Sequence, residues 1–270
     1  MQQSYLSVVL ITLNAERTLP RTLASVANWA DEIVLVDSGS TDATLDIAHS
    51  YGCRVLHRSF DGFGTQKQFA VDQATHDWVL LLDADETPDE ALKGSIMDVL
   101  RQRPDPQQGF CLPRSLVFMG QLLRHGGEQN RPVLRLFNRQ HAHISPALVH
   151  ESVVTTGPVT VLQGTLWHDS YGSLHEYITK MNQYTSLNAR QMGGRQRKQG
   201  ALEVSVRFGF KFVKVYLLKG SFRDGLPGFV WAFFSAVYPV LKYTKLYEAT
   251  QKKTKKEWMS GSKRLSVSGF

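Results

Sequence analysis

Cysteine is nearly absent. Two thiols, Cys53 and Cys111, occur in 270 residues and stand at no metal-ligand spacing. That excludes a disulfide framework and a cysteine zinc site, and it fits a reducing compartment. The N-terminus has no basic n-region and no signal cleavage site, so cytoplasmic exposure is expected. No internal repeat or low-complexity tract is present. Long uncharged runs are also scarce. Gly225 to Leu241 is one, but it is shorter than the roughly 20 residues a spanning helix needs, and Pro227 and Pro239 are expected to interrupt it. The length suits one large α/β core with an appendage.

What is present begins with Trp78-Val79-Leu80-Leu81-Leu82-Asp83-Ala84-Asp85-Glu86. The apolar run reads as a strand buried on both faces. It ends in three carboxylates, an arrangement that repulsion and desolvation disfavour. A divalent cation would relieve it, because Asp83 and Asp85 point the same way on an extended backbone and hard oxygen ligands suit Mg²⁺ or Mn²⁺. A solvated strand-end turn fits the tripeptide equally well.

The segments upstream give the frame. Ser7 to Leu13 and Glu32 to Asp37 are β-branched strands, and Arg54 to His57 is a short third one. Leu19, Leu23 and Val26 stand at helical spacing. Ala43 to Tyr51 and Gln66 to Ala74 read as helices. Strands alternating with helices imply a parallel sheet, whose ligands bind beyond the carboxyl ends of the strands. Asn14, Asp37, Asp83 and Asp85 all fall at those ends.

These residues carry a resemblance. Thr12-Leu13-Asn14-Ala15-Glu16, the Val36-to-Asp42 turn and Asp83-Ala84-Asp85 resemble glycosyltransferase family 2, over about residues 5 to 170. Phe63-Gly64-Thr65-Gln66-Lys67-Gln68, Arg135-Leu136-Phe137, Val149-His150-Glu151 and Gly225-Leu226-Pro227-Gly228 resemble its bacterial lipopolysaccharide-core β-1,4-glucosyltransferases. Gln68 departs from the Asn that many relatives carry. The resemblance implies a GT-A (nucleotide-diphosphosugar transferase) fold with a Rossmann-like, mostly parallel sheet. It implies an inverting transfer of a sugar, glucose in the specific case, from a UDP-sugar to the inner core of lipopolysaccharide. Asp37 would accept a hydrogen bond from uracil, Glu16 would lie near the ribose, and Thr12 and Asn14 would line the nucleoside pocket. Lys67 and Ala84 would lie near the nucleotide-sugar. Asp85 would hold Mg²⁺ or Mn²⁺, with Asp83 on the ribose or supporting the metal and His168 as a further ligand. Glu151 would be the general base. Arg131 and Arg135 would face the acceptor or the diphosphate. Bland readings stand beside these: Asp37 and Asp42 as cap residues, Glu151 as a surface acid, His168 as a core histidine, Arg135 as an outward strand residue.

Charge is uneven. Residues 1–194 hold 15 basic and 20 acidic side chains, a balance of −5, whereas 195–270 hold 16 and 4, a balance of +12. The expected division is therefore a catalytic domain at 1–194, with its nucleotide-sugar half at about 1–100 and its acceptor half at 101–194, and a basic, amphipathic, helical region at 195–270. Arg207, Lys211 and Lys214 share one helical face. Beside the apolar stretch they read as an anchor on an anionic membrane surface, on the inner face of the inner membrane. A helical cover over the core is the alternative. No nucleic-acid-binding module accompanies the charge, so no nucleic-acid partner is expected. Two further readings remain: a polyprenyl-phosphate sugar synthase, and a non-catalytic nucleotide-sugar or membrane-binding protein. The joint presence of Asp83, Asp85 and Glu151 argues against the last. A glycosidase would also use two carboxylates but needs no nucleotide pocket.

Overall fold

The computed structural model describes residues 4–145, 152–192 and 200–265. Contacts divide the chain into two compact units: Met1–Leu122 with Glu128–Ser170, and Leu123–Gly127 with Tyr171–Phe270. The boundary expected at 194 falls between the first two long helices of the second unit.

In the first unit the strands are β1 (Leu6–Thr12), β2 (Glu32–Asp37), β3 (Arg54–His57), β4 (Trp78–Asp83), β5 (Glu86–Pro88), β6 (Gly109–Phe118), β7 (Gln121–Leu122), β8 (Arg131–Asn138), β9 (Ala142–Ile144), β10 (Val153–Thr155), β11 (Val159–Val161) and β12 (Leu166–His168). The helices are α1 (Leu19–Val26), α2 (Thr44–Ser50), α3 (Phe63–Asp72) and α4 (Glu90–Arg101). The main sheet runs β3-β2-β1-β4-β8-β6-β12-β5, with β11 and β7 also on β6, while β9 and β10 pair separately. β3, β2, β1 and β4 are mutually parallel, and β8 runs antiparallel between β4 and β6.

The alternation along each strand explains the layers. Leu6, Val8 and Leu10 of β1, Ile33 and Leu35 of β2, and Trp78, Leu80 and Leu82 of β4 join one core with Leu19, Leu23 and Val26 of α1, Ala48 of α2 and Leu92, Ile96 and Leu100 of α4. The intervening Val9, Val34, Val36, Val79 and Leu81 join a second core with Ala70 and Val71 of α3 and Ile144. A period of two on strands covered on both faces buries every residue, which is why these strands read as unbroken apolar runs.

The second unit contains α5 (Leu174–Gln191), α6 (Ala201–Val213) and α7 (Gly225–Leu265). Ser173 caps α5 by accepting the Glu176 amide. A π-helical segment, Lys214–Leu218, continues α6, and a 3₁₀ turn, Ser221–Asp224, leads into α7. Buried Asp224 accepts the amides of Arg124 and His125 and meets His125 Nδ1 at 2.9 Å, tying the 123–127 segment into this unit. The break expected at Pro239 is absent: α7 runs through it. A proline costs a helix one hydrogen bond and a kink, and packing of α7 against α5 and α6 holds the helix on both sides of it. By length and composition alone, Ser221–Gln251 would cross a membrane, and 22% of its most apolar window is buried. A core helix of a soluble protein passes the same test.

Candidate active site

Three groups of side chains gather at the carboxyl ends of the central strands. Register places them: Thr12 pairs with Asp37 across β1 and β2, and Ile11 pairs with Asp83 across β1 and β4.

The first group is a brace between two loops. One Asp37 oxygen accepts the Gly39 and Ser40 amides at 2.8 Å, and the other accepts the hydroxyls of Thr12 and Ser40. Gly39 has φ +101°, a region that favours glycine. Burial works against the Asp37 charge, but these donors outweigh it and hold the carboxyl below its ordinary pKa. Asn14 adopts φ +50°, which Asn tolerates, and its Oδ1 accepts the Thr41 amide. Glu16 accepts the Ala43 amide, while its own amide donates to Asp42. The residues expected around a nucleoside thus lock the β1–α1 loop to the β2–α2 loop.

The second group lies below the acidic motif. Lys67, 4% exposed, places Nζ 2.7 Å from Asp83 Oδ1. Arg135 reaches Asp83 Oδ2 and Glu86 Oε1, each at 2.7 Å, and Arg114 adds a contact of 3.2 Å to Glu86. The Asp83 amide donates to Glu86. Burial opposes the Asp83 charge, yet Arg135 and Lys67 hold the carboxyl far below the carboxylate range. Arg135 is raised in turn: burial opposes its charge, and Asp83 and Glu86 overcome that. Two expectations change here. Asp83 and Asp85 do not share an extended backbone, because the chain turns at Ala84–Asp85. The Ala84 carbonyl in that turn accepts the Thr22 hydroxyl. Two of the three crowded acids are neutralised by cations from α3, β6 and β8 rather than needing a metal. Arg135 is a buried ion-pair partner, not an outward strand residue.

The third group forms at Asp85. β5 pairs antiparallel with β12, placing His168 opposite Glu86. His168 Nε2 lies 3.4 Å from Asp85 Oδ1, and the Ser170 hydroxyl bridges them, 3.0 Å from Asp85 Oδ2 and 2.6 Å from His168 Nε2. Burial raises the Asp85 carboxyl and the Asp83 charge adds to that, but the hydrogen bonds from His168 and Ser170 and the His168 charge bring it below its ordinary value. His168 is raised: burial opposes its charge, and Asp85 favours it. The donor pair fits a cation. Ligands at about 2.1 Å on adjacent octahedral corners stand roughly 3 Å apart, near the spacing seen. Among the described residues no third His, Cys, Asp or Glu completes a cluster. The remaining corners would fall to phosphate oxygens and water, the usual pattern for Mg²⁺.

Arg131 is exposed and pairs with Glu128 at 2.9 Å, outside these groups. Glu151 lies outside the described residues. Sequence reasoning missed Ser170, Arg114 and the ion-pair role of Glu86. A lone Ser after His-Asp and a lone Arg in a strand carry no local signal.

The family model for glycosyl transferase family 2 matches residues 7–143. The chain belongs to glycosyltransferase family 2. It is 32% identical over 250 residues to the lipopolysaccharide core biosynthesis glycosyltransferase LpsC of Rhizobium meliloti, covering 90% of this chain and 92% of that one. An uncharacterized glycosyltransferase of Rickettsia typhi is 28% identical, covering 92% and 88%. Among solved structures, S. aureus TarS residues 1–349 in complex with UDP-GlcNAc is 15% identical, with TM-score 0.44, covering 90% of this chain and 88% of that one. Mycobacterium tuberculosis glucosyl-3-phosphoglycerate synthase with Mn²⁺, UDP and glucosyl-3-phosphoglycerate is 16% identical, with TM-score 0.47, covering 70% and 79%. The family 2 fold is GT-A, and the mixed, partly parallel sheet flanked by helices is its architecture here.

Proposed function

We propose that this family 2 glycosyltransferase is an inverting enzyme that moves glucose from UDP-glucose to the inner core of lipopolysaccharide, at the cytoplasmic face of the inner membrane. The observation that carries the donor half is the Asp85–Ser170–His168 group, which unites donors 83 positions apart at a strand end. A divalent cation there, when bound, supplies charge neutralisation for the leaving diphosphate. Asp85 and His168 would hold it, with Ser170 orienting Asp85 through Oδ2 and giving up its contact with His168 Nε2 to the metal. Beneath them, Lys67 and Arg135 meet Asp83, and Arg135 and Arg114 meet Glu86, so cations from three elements stand at the base of the acidic motif, where they favour phosphate nearby. The nucleoside would lie against the loops braced by Asp37, Asn14 and Glu16. Both Asp37 oxygens already have two donors each, so a bond to uracil means the Thr12 or Ser40 hydroxyl turning away. Glu151 would take the proton of the acceptor hydroxyl.

The acceptor half rests on the relative from Rhizobium meliloti. The +12 balance of 195–270 supports docking on an anionic leaflet. A second reading, transfer to a polyprenyl phosphate, is favoured by the long apolar helix at Ser221–Gln251. One experiment separates them: a panel of UDP-sugars with intact core lipopolysaccharide, delipidated core or polyprenyl phosphate as acceptor, with and without Mn²⁺. Transfer of glucose to core, abolished by EDTA, is the expected result. Transfer to the polyprenyl phosphate alone overturns the first reading. Activity unchanged in EDTA overturns the metal assignment.

A further inference from the structure

The helical unit contains a cleft of about 510 Å³ between α5, α6 and α7. Its size is that of a small-ligand site. Its walls are unusually aromatic: Tyr171, Tyr177, Tyr184, Trp231, Tyr238 and Tyr243 contribute rings. These rings support one another, with Tyr177 edge-on to Tyr171 at 4.8 Å and tilted on Trp231 at 5.9 Å. Some of their polar tips are anchored, as where the Tyr238 hydroxyl accepts Asn188 Nδ2 at 2.6 Å. The lining has two charged residues, Arg207 and Lys211, both cations and one helical turn apart on α6. Arg207 gives Nε and Nη2 to Glu203 and stacks 5.4 Å from the Tyr243 ring. In the α5–α7 seam, Lys245 Nζ is held by four neutral oxygens, of Asn182, Thr185 and Ser186, at 2.6–2.8 Å.

The mouth has a distinct chemistry. Leu202, Val206, Phe210, Val213 and Leu217 recur at spacings of three and four and are all exposed, Leu202 at 79% and Phe210 at 65%. They form one apolar stripe along α6 and its continuation. Arg207, Lys211 and Lys214 follow it one residue behind, along one edge. Phe210 belongs to both the stripe and the cleft lining, so the cleft opens onto the apolar surface.

We propose that this cleft seats a single anionic membrane lipid, with its phosphate on Arg207 and Lys211 and the start of its acyl chain against the aromatic walls. Charge favours an anion: both charged residues of the lining are cations, and Glu203, which holds Arg207 Nε and Nη2, stands outside the lining. The apolar stripe at the mouth selects a ligand that arrives from a bilayer rather than from water. Tyr and Trp rings suit the headgroup level, where an apolar body and a polar tip are both accommodated. The site gives the membrane docking proposed above one defined lipid contact, and it rests on that docking.

The test uses the full chain in detergent micelles doped with phosphatidylglycerol bearing brominated acyl chains, which quench tryptophan at contact range. Saturable quenching is expected, and Trp231→Phe should remove most of it. Arg207→Gln with Lys211→Gln should weaken the apparent affinity about 25-fold, taking each charge near an anionic lipid as worth about fivefold. Arg207→Lys with Lys211→Arg should retain it, and both pairs should bind UDP like wild type, which excludes misfolding. Equal quenching by brominated phosphatidylcholine, equal affinity in the Gln pair, or full displacement by soluble core oligosaccharide would each overturn the lipid seat. Flotation of wild type with anionic vesicles is measured in parallel. Flotation without saturable quenching defeats the cleft alone. Failure to float defeats the docking, and the micelle measurement still decides the cleft.

Discussion

Replacing Arg135 by Met tests whether the acidic motif stands on buried cations. The Arg135 side chain is 9% exposed, and its guanidinium contacts both Asp83 and Glu86 at 2.7 Å. Met fills much of the stem's volume but leaves two carboxylates short of a partner. Glu86, fully buried, keeps Arg114 at 3.2 Å, and Asp83, about a quarter exposed, keeps Lys67 at 2.7 Å. Removing one partner of a buried pair typically costs 3–5 kcal/mol, and the remaining cations place this case near the lower end, about 3 kcal/mol. For a unit of this size each kcal/mol moves Tm by roughly 2–4 °C, so a drop of about 6–12 °C is expected. The sharper measurement is a double-mutant cycle with Glu86→Gln. Once Glu86 is neutral, losing Arg135 strands one carboxylate fewer. The pair should therefore cost less than the sum of the singles, by about 0.5–3 kcal/mol, the range for residues in direct contact. Urea denaturation at neutral pH reads all four corners of the cycle. Strict additivity, or an Arg135→Met variant as stable as wild type, would refute the claim that these charges hold one another in place.

Three further outcomes follow from the same geometry. Glu32 is lowered to about 2 from an ordinary value of 4.5: burial opposes its charge, and hydrogen bonds from Ser7, Thr75 and Arg54 outweigh that. Its contribution is therefore complete above pH 4.5 and is lost as pH falls toward 2, so Glu32→Gln should flatten the stability profile in that window, and an unchanged slope would contradict it. Asp85→Asn should weaken Mn²⁺-dependent UDP binding by calorimetry, and Ser170→Ala should do so by about 10-fold, the lower end for groups that orient a ligand; wild-type affinity in both variants would remove this group from the donor site. Glu151→Gln should lower transfer by about 10²-fold with UDP binding retained; a product of retained anomeric configuration by NMR would reject the inverting route altogether.

The +12 balance and the apolar helices of the C-terminal region also bear on how the acceptor is met. Exposed aromatics on α7, Phe229 and Phe233, add to the stripe on α6. Such surface on a soluble protein marks an interaction site. In this chain the cations beside it make an anionic leaflet the proposed partner, and the cleft gives that contact a defined stoichiometry to measure.

The sequence by itself determined the order of strands and helices from β1 to β4, because burial on both faces writes an unbroken apolar run and amphipathic helices write a three-to-four spacing. It also placed Asn14, Asp37 and Asp83 at strand ends, since a run of Val, Leu and Ile stops where the backbone leaves the sheet. Motif order was enough to reach family 2 before any geometry was known. The tertiary structure decided which charges meet. Lys67, Arg114 and Arg135 come from α3, β6 and β8 to two acids of one short motif, and no local pattern encodes a contact made across a sheet. The β5–β12 register likewise decided that His168 and Ser170 stand beside Asp85. Pro239 shows the opposite limit. Local propensity argues for a break there, and packing of α7 against two helices supplies more than the one hydrogen bond that the proline removes.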